Sequence, residues 1–341
     1  MNATSNAGWT APPGALLQVE HLTKHYPIRK GVFSQVSGQV HAVDDVSFWI
    51  AQGETLGLVG ESGCGKSTTG KAILRLTDVT AGSIRWRGER IDALCAADMR
   101  PHRRELQAVF QDPYSSLNPR MRAADIVAEP IRNFEVLGAA GIRTRVESLF
   151  ERVGLRADQM VKYPYEFSGG QRQRLGIARA LAPNPRLIVC DEAVSALDVS
   201  VQAQVINLLM DLQEELGLSY LFIAHDLAVV EHISHRVAVM YLGKIVEITG
   251  KRSLFENPQH PYTEALLSAV PIPDPAKARN RIILAGDVPS PVNPPAGCRF
   301  HTRCPYAEAR CRVEVPAMRQ TAPGHFVACH LREGEPVDAA A

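Results

Sequence analysis

The sequence predicts an α/β core on a parallel sheet, with an antiparallel β subdomain, an α-helical subdomain and a small Cys-rich C-terminal extension. Three observations lead there. Gly60-Glu61-Ser62-Gly63-Cys64-Gly65-Lys66-Ser67 follows the apolar strand Leu56-Gly57-Leu58-Val59 and opens a helix, the strand–loop–helix order that cradles phosphates. Residues 187–190 and 220–224 are apolar at successive positions, as parallel strands covered on both faces must be. Between residues 112 and 167 strand patterning gives way to helical spacing, with Ile126, Ile131, Val146, Leu149 and Phe150 in phase.

Taken in chain order, residues 16–22 read as a first strand and 30–38 as a Gly/Ser-containing loop that interrupts an antiparallel sheet edge. Residues 40–50 and 55–59 continue the core, and 68–76 carry the helix after the glycine-rich loop. Val201, Val205, Leu208, Leu209, Leu212 and Leu216 recur at helical spacing, one stripe packed on the sheet. Residues 237–241 and 245–248 flank Leu242-Gly243-Lys244, a hairpin signature. A chain of 341 residues, 45% hydrophobic and 21% charged, accommodates such a core plus one or two smaller modules. No apolar run approaches the roughly 18 residues of a bilayer span. The start, Met1 to Asn6, lacks the basic and apolar regions of an export signal, so the chain is expected in the cytoplasm. A net charge of +1 gives no electrostatic case for nucleic acid.

The residue types fix the expected chemistry. Side chains at Gly60, Gly63 or Gly65 would obstruct the wrap of backbone N–H groups, including those of Ser62 and Cys64, around phosphates. Lys66 is expected on the β- and γ-phosphates, the Ser67 hydroxyl on Mg²⁺ and Thr68 on the α-phosphate. Asp191 and Glu192 end a buried strand and can divide the labour. The first holds Mg²⁺ through its water shell, and the second polarises the water that attacks the γ-phosphate.

About a hundred residues after the glycine-rich loop comes Phe167-Ser168-Gly169-Gly170-Gln171-Arg172-Gln173-Arg174. With that segment in order between the two other motifs, the chain resembles the ATP-binding cassette (ABC) ATPases. The resemblance implies an ABC-type P-loop ATPase core that uses ATP and Mg²⁺. It makes Gln111 a contact to the metal shell and the water, Asp198 part of a loop crossing to a partner subunit, and His225 a γ-phosphate sensor. Tyr26 stacks on adenine, with Phe33 as the alternative. Ser168, Gly169, Gly170 and Gln171 open a helix whose N–H groups form a second anion-binding surface. Two such surfaces on one chain make sense head to tail, each ATP sandwiched between one subunit's loop and the other's helix. A ribosomal ABC protein would carry two cassettes, whereas this chain has one loop and one Ser-Gly-Gly-Gln segment.

The end of the chain narrows the resemblance. Asn257-Pro258-Gln259-His260-Pro261-Tyr262-Thr263 and the segment from Gly297 to Tyr306 look like the C-terminal extension of oligopeptide and dipeptide importer ATPases, which nickel and glutathione importers share. The resemblance implies an ABC ATPase domain over 16–256, with its helical subdomain at about 112–167, and the extension over 257–335. It implies a peripheral place on the cytoplasmic face of the inner membrane. The partners it implies are a second ABC ATPase in a heterodimer, two transmembrane permeases that receive peptide from an extracytoplasmic binding protein, and no nucleic acid.

Seven cysteines divide into two groups. Cys64 and Cys190 read as small packing residues and Cys95 has no evident chemistry. Cys298, Cys304, Cys311 and Cys329 cluster behind the Pro-rich segment 287–295, in a module too small to build much core without a staple. In a cytosolic chain a metal is a better staple than disulfides. Four thiolates admit zinc or an iron–sulfur cluster, and the resemblance implies 4Fe–4S. His301, His325 and His330 read as ordinary polar residues.

Overall fold

A computed structural model describes residues 11–31, 35–112, 116–135, 137–270 and 282–336. The chain divides into two compact units. One is built from the described residues of Met1–Ala51, Leu56–Asp92 and His225–Ala341, the other from those of Gln52–Thr55 and Ala93–Ala224.

In the first unit Leu17–Lys30 and Gln35–Ile50 form a long antiparallel hairpin, and Ala81–Trp86 and then Glu89–Arg90 add strands beyond it. The first strand runs well past the expected 16–22, and much of the expected 30–38 loop is ladder, with Ile28 opposite Gly38 and Lys30 opposite Gln35. Among the described residues Ala81–Trp86 pairs with Leu17 to Thr23 and no further along the first strand, so the rest of that strand is an edge there. Pro27 can sit there without an N–H. Leu17, Val19, Leu22, Val46, Phe48, Ile50, Ile84 and Trp86 form the buried face of this sheet.

The same unit carries, from Leu56 on, the strand Thr55–Val59, buried at every position and parallel to Arg236–Tyr241. Arg236–Tyr241 returns antiparallel as Lys244–Gly250 through Leu242 and Gly243, whose φ of 43° and 81° are the positive pair that a two-residue hairpin turn requires. The C-terminal extension continues this sheet rather than forming a module behind a linker. His325–Val327 pairs with Lys244–Gly250, Arg319–Ala322 with His325–Val327, and Glu335–Pro336 with Arg319–Ala322. At the seam lies Glu247, fully buried. Its carboxylate accepts the N–H groups of Gln259 and His260, both at 2.8 Å, and lies 2.7 Å from His325 Nε2. A buried carboxylate has to be hydrogen-bonded on both oxygens, which gives the Asn257–Thr263 segment a structural reason.

The second unit contains three parallel strands in the order Ser219–Ala224, Leu187–Asp191, Leu106–Phe110. Helices Ala123–Phe134 and Ala139–Arg152 bury Ile126, Ile131, Val146, Leu149 and Phe150. Helix Gly169–Leu181 follows two single 3₁₀ turns. Val199–Leu216 buries Val205, Leu209 and Leu212, while Leu216 at the last turn is exposed.

Candidate functional site

In the first unit the glycine-rich loop joins Thr55–Val59 to helix Lys66–Ile73, with Gly65 at the N-cap. Two of its glycines are dictated by close approach. A Cβ on Gly60 would fall 2.1 Å from the Met240 carbonyl oxygen, and one on Gly65 2.1 Å from that of Ala42. Gly63 differs from the expectation of a steric role: a Cβ there meets nothing within 4 Å, and the constraint is its φ of 78°. Lys66 is buried, and its Nζ donates to the carbonyls of Gly60 at 2.7 Å and Glu61 at 3.0 Å. Ser62 is exposed, and Ser67 and Thr68 are half-buried on the first turn of the helix. Thr69 instead turns its hydroxyl back to the Gly65 carbonyl. Burial pushes the Cys64 thiol up, with Lys66 opposing, so it is a packing group.

Sequence reasoning missed the contacts around Glu61. Its N–H donates to the Tyr262 hydroxyl at 2.8 Å. Its carboxylate receives both terminal nitrogens of Arg303, at 2.8 and 3.2 Å. The segment that supplies Arg303 is docked by its neighbours as well. Arg299 is buried and donates to the Leu242 carbonyl and to Asp44. Phe300, 1% exposed, packs edge-on against Tyr241 and beside Tyr262 and His260. No local pattern could have signalled this, because the contacts bridge more than 200 residues.

In the second unit Phe110 pairs with Asp191, so Gln111 and Glu192 leave adjacent strands at the same end. Asp191 is buried as the last residue of its strand. Glu192 is held at φ 50°, a left-handed conformation that a non-glycine residue occupies at a cost. Its N–H donates to the Ile223 carbonyl at 2.9 Å, and its own carbonyl accepts the Ser195 N–H and hydroxyl. Cys190, before the acidic pair, is fully buried and pushed up to about 12 by burial, with Asp191 adding. Asp198 is exposed at the N-cap of Val199–Leu216.

Ser168 caps helix Gly169–Leu181 reciprocally: its hydroxyl accepts the Gln171 N–H at 3.3 Å, and its N–H donates to Gln171 Oε1 at 3.1 Å. This capping box occupies the Ser168 and Gln171 side chains, and Ser168 is exposed at the helix N-terminus. Gly170 is required by packing, since a Cβ there would lie 2.5 Å from Val201 Cγ1.

His225, in the first unit, is exposed directly after strand Ser219–Ala224. The Asp226 carboxylate then caps helix Leu227–Ile233 by accepting the Ala228 N–H. Tyr26 is exposed on the first strand, with Lys24 Nζ 4.8 Å from its ring centroid. Phe33 lies outside the described residues. Next to Tyr26, His25, His41 and Asp44 bring three possible ligand atoms within 4.8 Å. Asp44 is already paired with Arg299 and faced by Lys244 at 3.8 Å, so a metal cation there would meet two positive charges.

The four extension cysteines are free thiols, Cys311 and Cys329 buried and Cys298 and Cys304 half-buried. Burial pushes Cys298 up to about 11, with Cys329, Cys311 and Cys304 each adding to the rise, so the four surround one another. Among the described residues no three of these sulfurs lie within 4.8 Å of one another. Each nearby histidine has another partner: His301 Nδ1 the Cys298 carbonyl, His325 the Glu247 carboxylate, and His330 the Glu314 carbonyl. Cys95 Sγ lies 3.0 Å from Asp98 at the start of helix Ala96–Glu105.

No helix among the described residues is long and apolar enough to cross a membrane. Residues 43–195 match the family model of the ABC transporter, and 246–311 that of the oligopeptide/dipeptide transporter C-terminal region. The chain is 58% identical to a probable peptide ABC transporter ATP-binding protein, y4tS, of Sinorhizobium fredii, over 93% of this chain and 90% of that protein. It is 54% identical to the oligopeptide transport ATP-binding protein AppF of Bacillus subtilis, over 93% and 97%. Among solved structures, the dimeric ATP-binding cassette MJ0796 bound to ADP and phosphate superposes with a TM-score of 0.62 at 28% identity, over 69% of this chain and 99% of that one. CbiO1 of Clostridium perfringens, part of the ABC transporter complex cbiONQ, gives 0.62 at 25% identity, over 72% and 92%. With the phosphate loop, the capped Ser-Gly-Gly-Gln helix and the paired carboxylates in place, these likenesses show that the chain belongs to the ATP-binding proteins of the oligopeptide/dipeptide ABC transporters.

Proposed function

We propose that this chain hydrolyses ATP to ADP and phosphate as one subunit of a peptide importer, driving alternating access of two membrane permeases supplied by an extracytoplasmic binding protein. One observation carries the reading: a chain with its own phosphate loop also has a second helix N-terminus, capped by the exposed Ser168, which suits the phosphates of a partner's ATP. The partner is a second ABC ATPase bound head to tail at the cytoplasmic membrane face. Lys66 and the N–H groups of Gly60 to Thr68 bind the phosphates, Ser168 to Gln171 close on the partner's nucleotide, and Tyr26 stacks on adenine. Ser67, Asp191 and Gln111 would hold Mg²⁺, which neutralises charge on the transferred phosphoryl group. Glu192 orients and deprotonates the attacking water, and its fixed left-handed backbone supports that assignment. His225 senses the γ-phosphate, and Asp198 crosses to the partner. The ATPase domain is read as 16–256, with its helical part at about 112–167, and the extension as 257–335.

Cys298, Cys304, Cys311 and Cys329 would hold a 4Fe–4S cluster in that extension. The spacing of these cysteines lacks the paired Cys-x-x-Cys of common zinc ribbons, which favours a cluster over a single zinc. A cationic centre would also offset the burial that raises the Cys298, Cys304 and Cys329 thiols.

Reconstituted with its permeases and partner ATPase in vesicles, the protein should couple ATP hydrolysis to peptide uptake. Glu192→Gln should keep ATP binding and the closed dimer while turnover falls at least about 100-fold. Undiminished hydrolysis would remove Glu192 as base, and ATP-driven uptake of a cargo other than peptide would change the substrate. Iron and acid-labile sulfide in the anaerobically purified protein test the cluster, and stoichiometric zinc without iron would overturn it.

A further inference from the structure

We propose that Arg303 and Tyr262, both in the C-terminal extension, are positioning residues for ATP: they fix Glu61 in the phosphate loop and cancel its charge. The inference rests on the reading of residues 60–68 as the ATP phosphate site. All three polar groups of Glu61 are held. Its N–H goes to the Tyr262 hydroxyl, its carboxylate to both terminal nitrogens of Arg303, and its carbonyl to Lys66 Nζ and to the Cys64 N–H. Only the last pair lies within the loop. The others reach it from residues 201 and 242 positions away.

Two physical consequences follow. A loop whose N–H groups must converge on an anion binds better when its backbone is already fixed. Tyr262 is well placed to fix it, because it is fully buried and begins a helix whose N-cap, His260, accepts its N–H. Glu61 also sets a carboxylate beside a site meant for a triphosphate, where like charge weakens binding. Arg303 pairs with it bidentately, its side chain 9% exposed against 28% for Glu61, so the pair is partly shielded from solvent. The guanidinium is held by its own surroundings, with Phe300 buried and Arg299 bonded to Leu242 and Asp44 in the same five-residue span between Cys298 and Cys304. Whatever fixes these two cysteines therefore also fixes the charge partner of the phosphate loop.

The test is a double-mutant cycle in the full-length protein, read as the dissociation constant for MgATP from displacement of a fluorescent ATP analogue, with thermal unfolding recorded for every variant. Arg303→Gln should weaken MgATP binding about tenfold, because it leaves the Glu61 carboxylate uncompensated. Adding Glu61→Gln should return affinity to within about threefold of the parent, a rescue that general loosening of the fold would not give. Tyr262→Phe, which keeps the ring and removes the acceptor for the Glu61 N–H, should weaken binding about threefold. Unchanged affinity in a folded Arg303→Gln protein, or a double variant no better than Arg303→Gln, would overturn the proposal. If Arg303→Gln does not fold, Arg303→Lys retains the charge without the fork and should weaken binding about threefold, and no change there would overturn it equally. The parent and Lys66→Ala are measured alongside. A parent that does not bind ATP removes the functional reading itself, while a parent that binds beside an indifferent Arg303 variant removes only this inference.

Discussion

The phosphate loop and the segment between Cys298 and Cys304 are both tight turns in one compact unit, yet they are shaped by opposite means. The backbone turns of residues 60–65 are set by their own glycines, whatever then holds Glu61 from outside. Gly60 and Gly65 let the backbone pass against the carbonyls of Met240 and Ala42, and Gly63 supplies a left-handed φ. Residues 298–304 are shaped from outside, by Arg299, Phe300 and Arg303, each inserted into a site built by distant parts of the chain. Backbone constraint leaves a mark in residue types at fixed spacing. Side-chain docking leaves only residues that would look ordinary elsewhere.

Four substitutions and conditions sharpen this contrast. The largest effect is expected from Gly65→Ala, where a Cβ 2.1 Å from a carbonyl oxygen is added at a φ of 111°. Nucleotide binding should fall at least about 100-fold while circular dichroism shows a folded chain, because the site tolerates neither the overlap nor the conformation. Binding within a few-fold of the parent would show that the loop yields more than its contacts suggest. Phe300→Ala should come next. Loss of a ring 1% exposed among Tyr241, Tyr262 and His260 should lower unfolding stability by about 3–5 kcal/mol, measured by urea titration. A loss under about 1 kcal/mol would show that the arginines alone hold the segment.

Acid probes the seam that joins the extension to the ATPase sheet. Burial pushes His260 down to about 4 from 6.5, with Glu247 opposing and Arg332 adding. Between those values the unfolded chain takes up a proton that the folded chain refuses. The stability of the seam is thus intact above pH 6.5 and lost progressively as pH falls towards 4, by about 3 kcal/mol at the lower end. His260→Asn can still cap the Tyr262 N–H and does not titrate, so its urea midpoint should depend less on pH across that window. Identical pH dependence in both proteins would rule out His260 as the titrating group. Gly63→Ala is the smallest of the four. With nothing within 4 Å of the added Cβ and a φ of 78°, it should cost only the left-handed preference, about 1–2 kcal/mol, read as roughly a tenfold weaker affinity. A loss as large as that of Gly65→Ala would mean that the glycines act alike and that close approach is not what separates them.

The fold class, the buried parallel strands, the helical run after Gln111 and the glycine-rich loop that opens a helix were legible because each rests on a local rule. Strands covered on two faces are apolar at successive positions, helices bury residues at a period near 3.6, and phosphate loops need glycine where the backbone turns sharply. The length of the first hairpin was not legible. Residues 30–38 carry turn-forming composition, and only pairing with a neighbouring strand puts Lys30, Gln35, Val36 and Gly38 in the ladder. Nor was the packing role of Gly170, which depends on Val201 of another helix. By itself the sequence determined which residues could handle phosphate and water, since that chemistry needs particular groups at short spacing. Only the tertiary structure decided that Glu247 gathers the Asn257–Thr263 segment and His325, and that Arg303 and Tyr262 reach Glu61. Those are contacts between residues far apart in sequence, and their partners are set by where the sheet brings its edges and loops together.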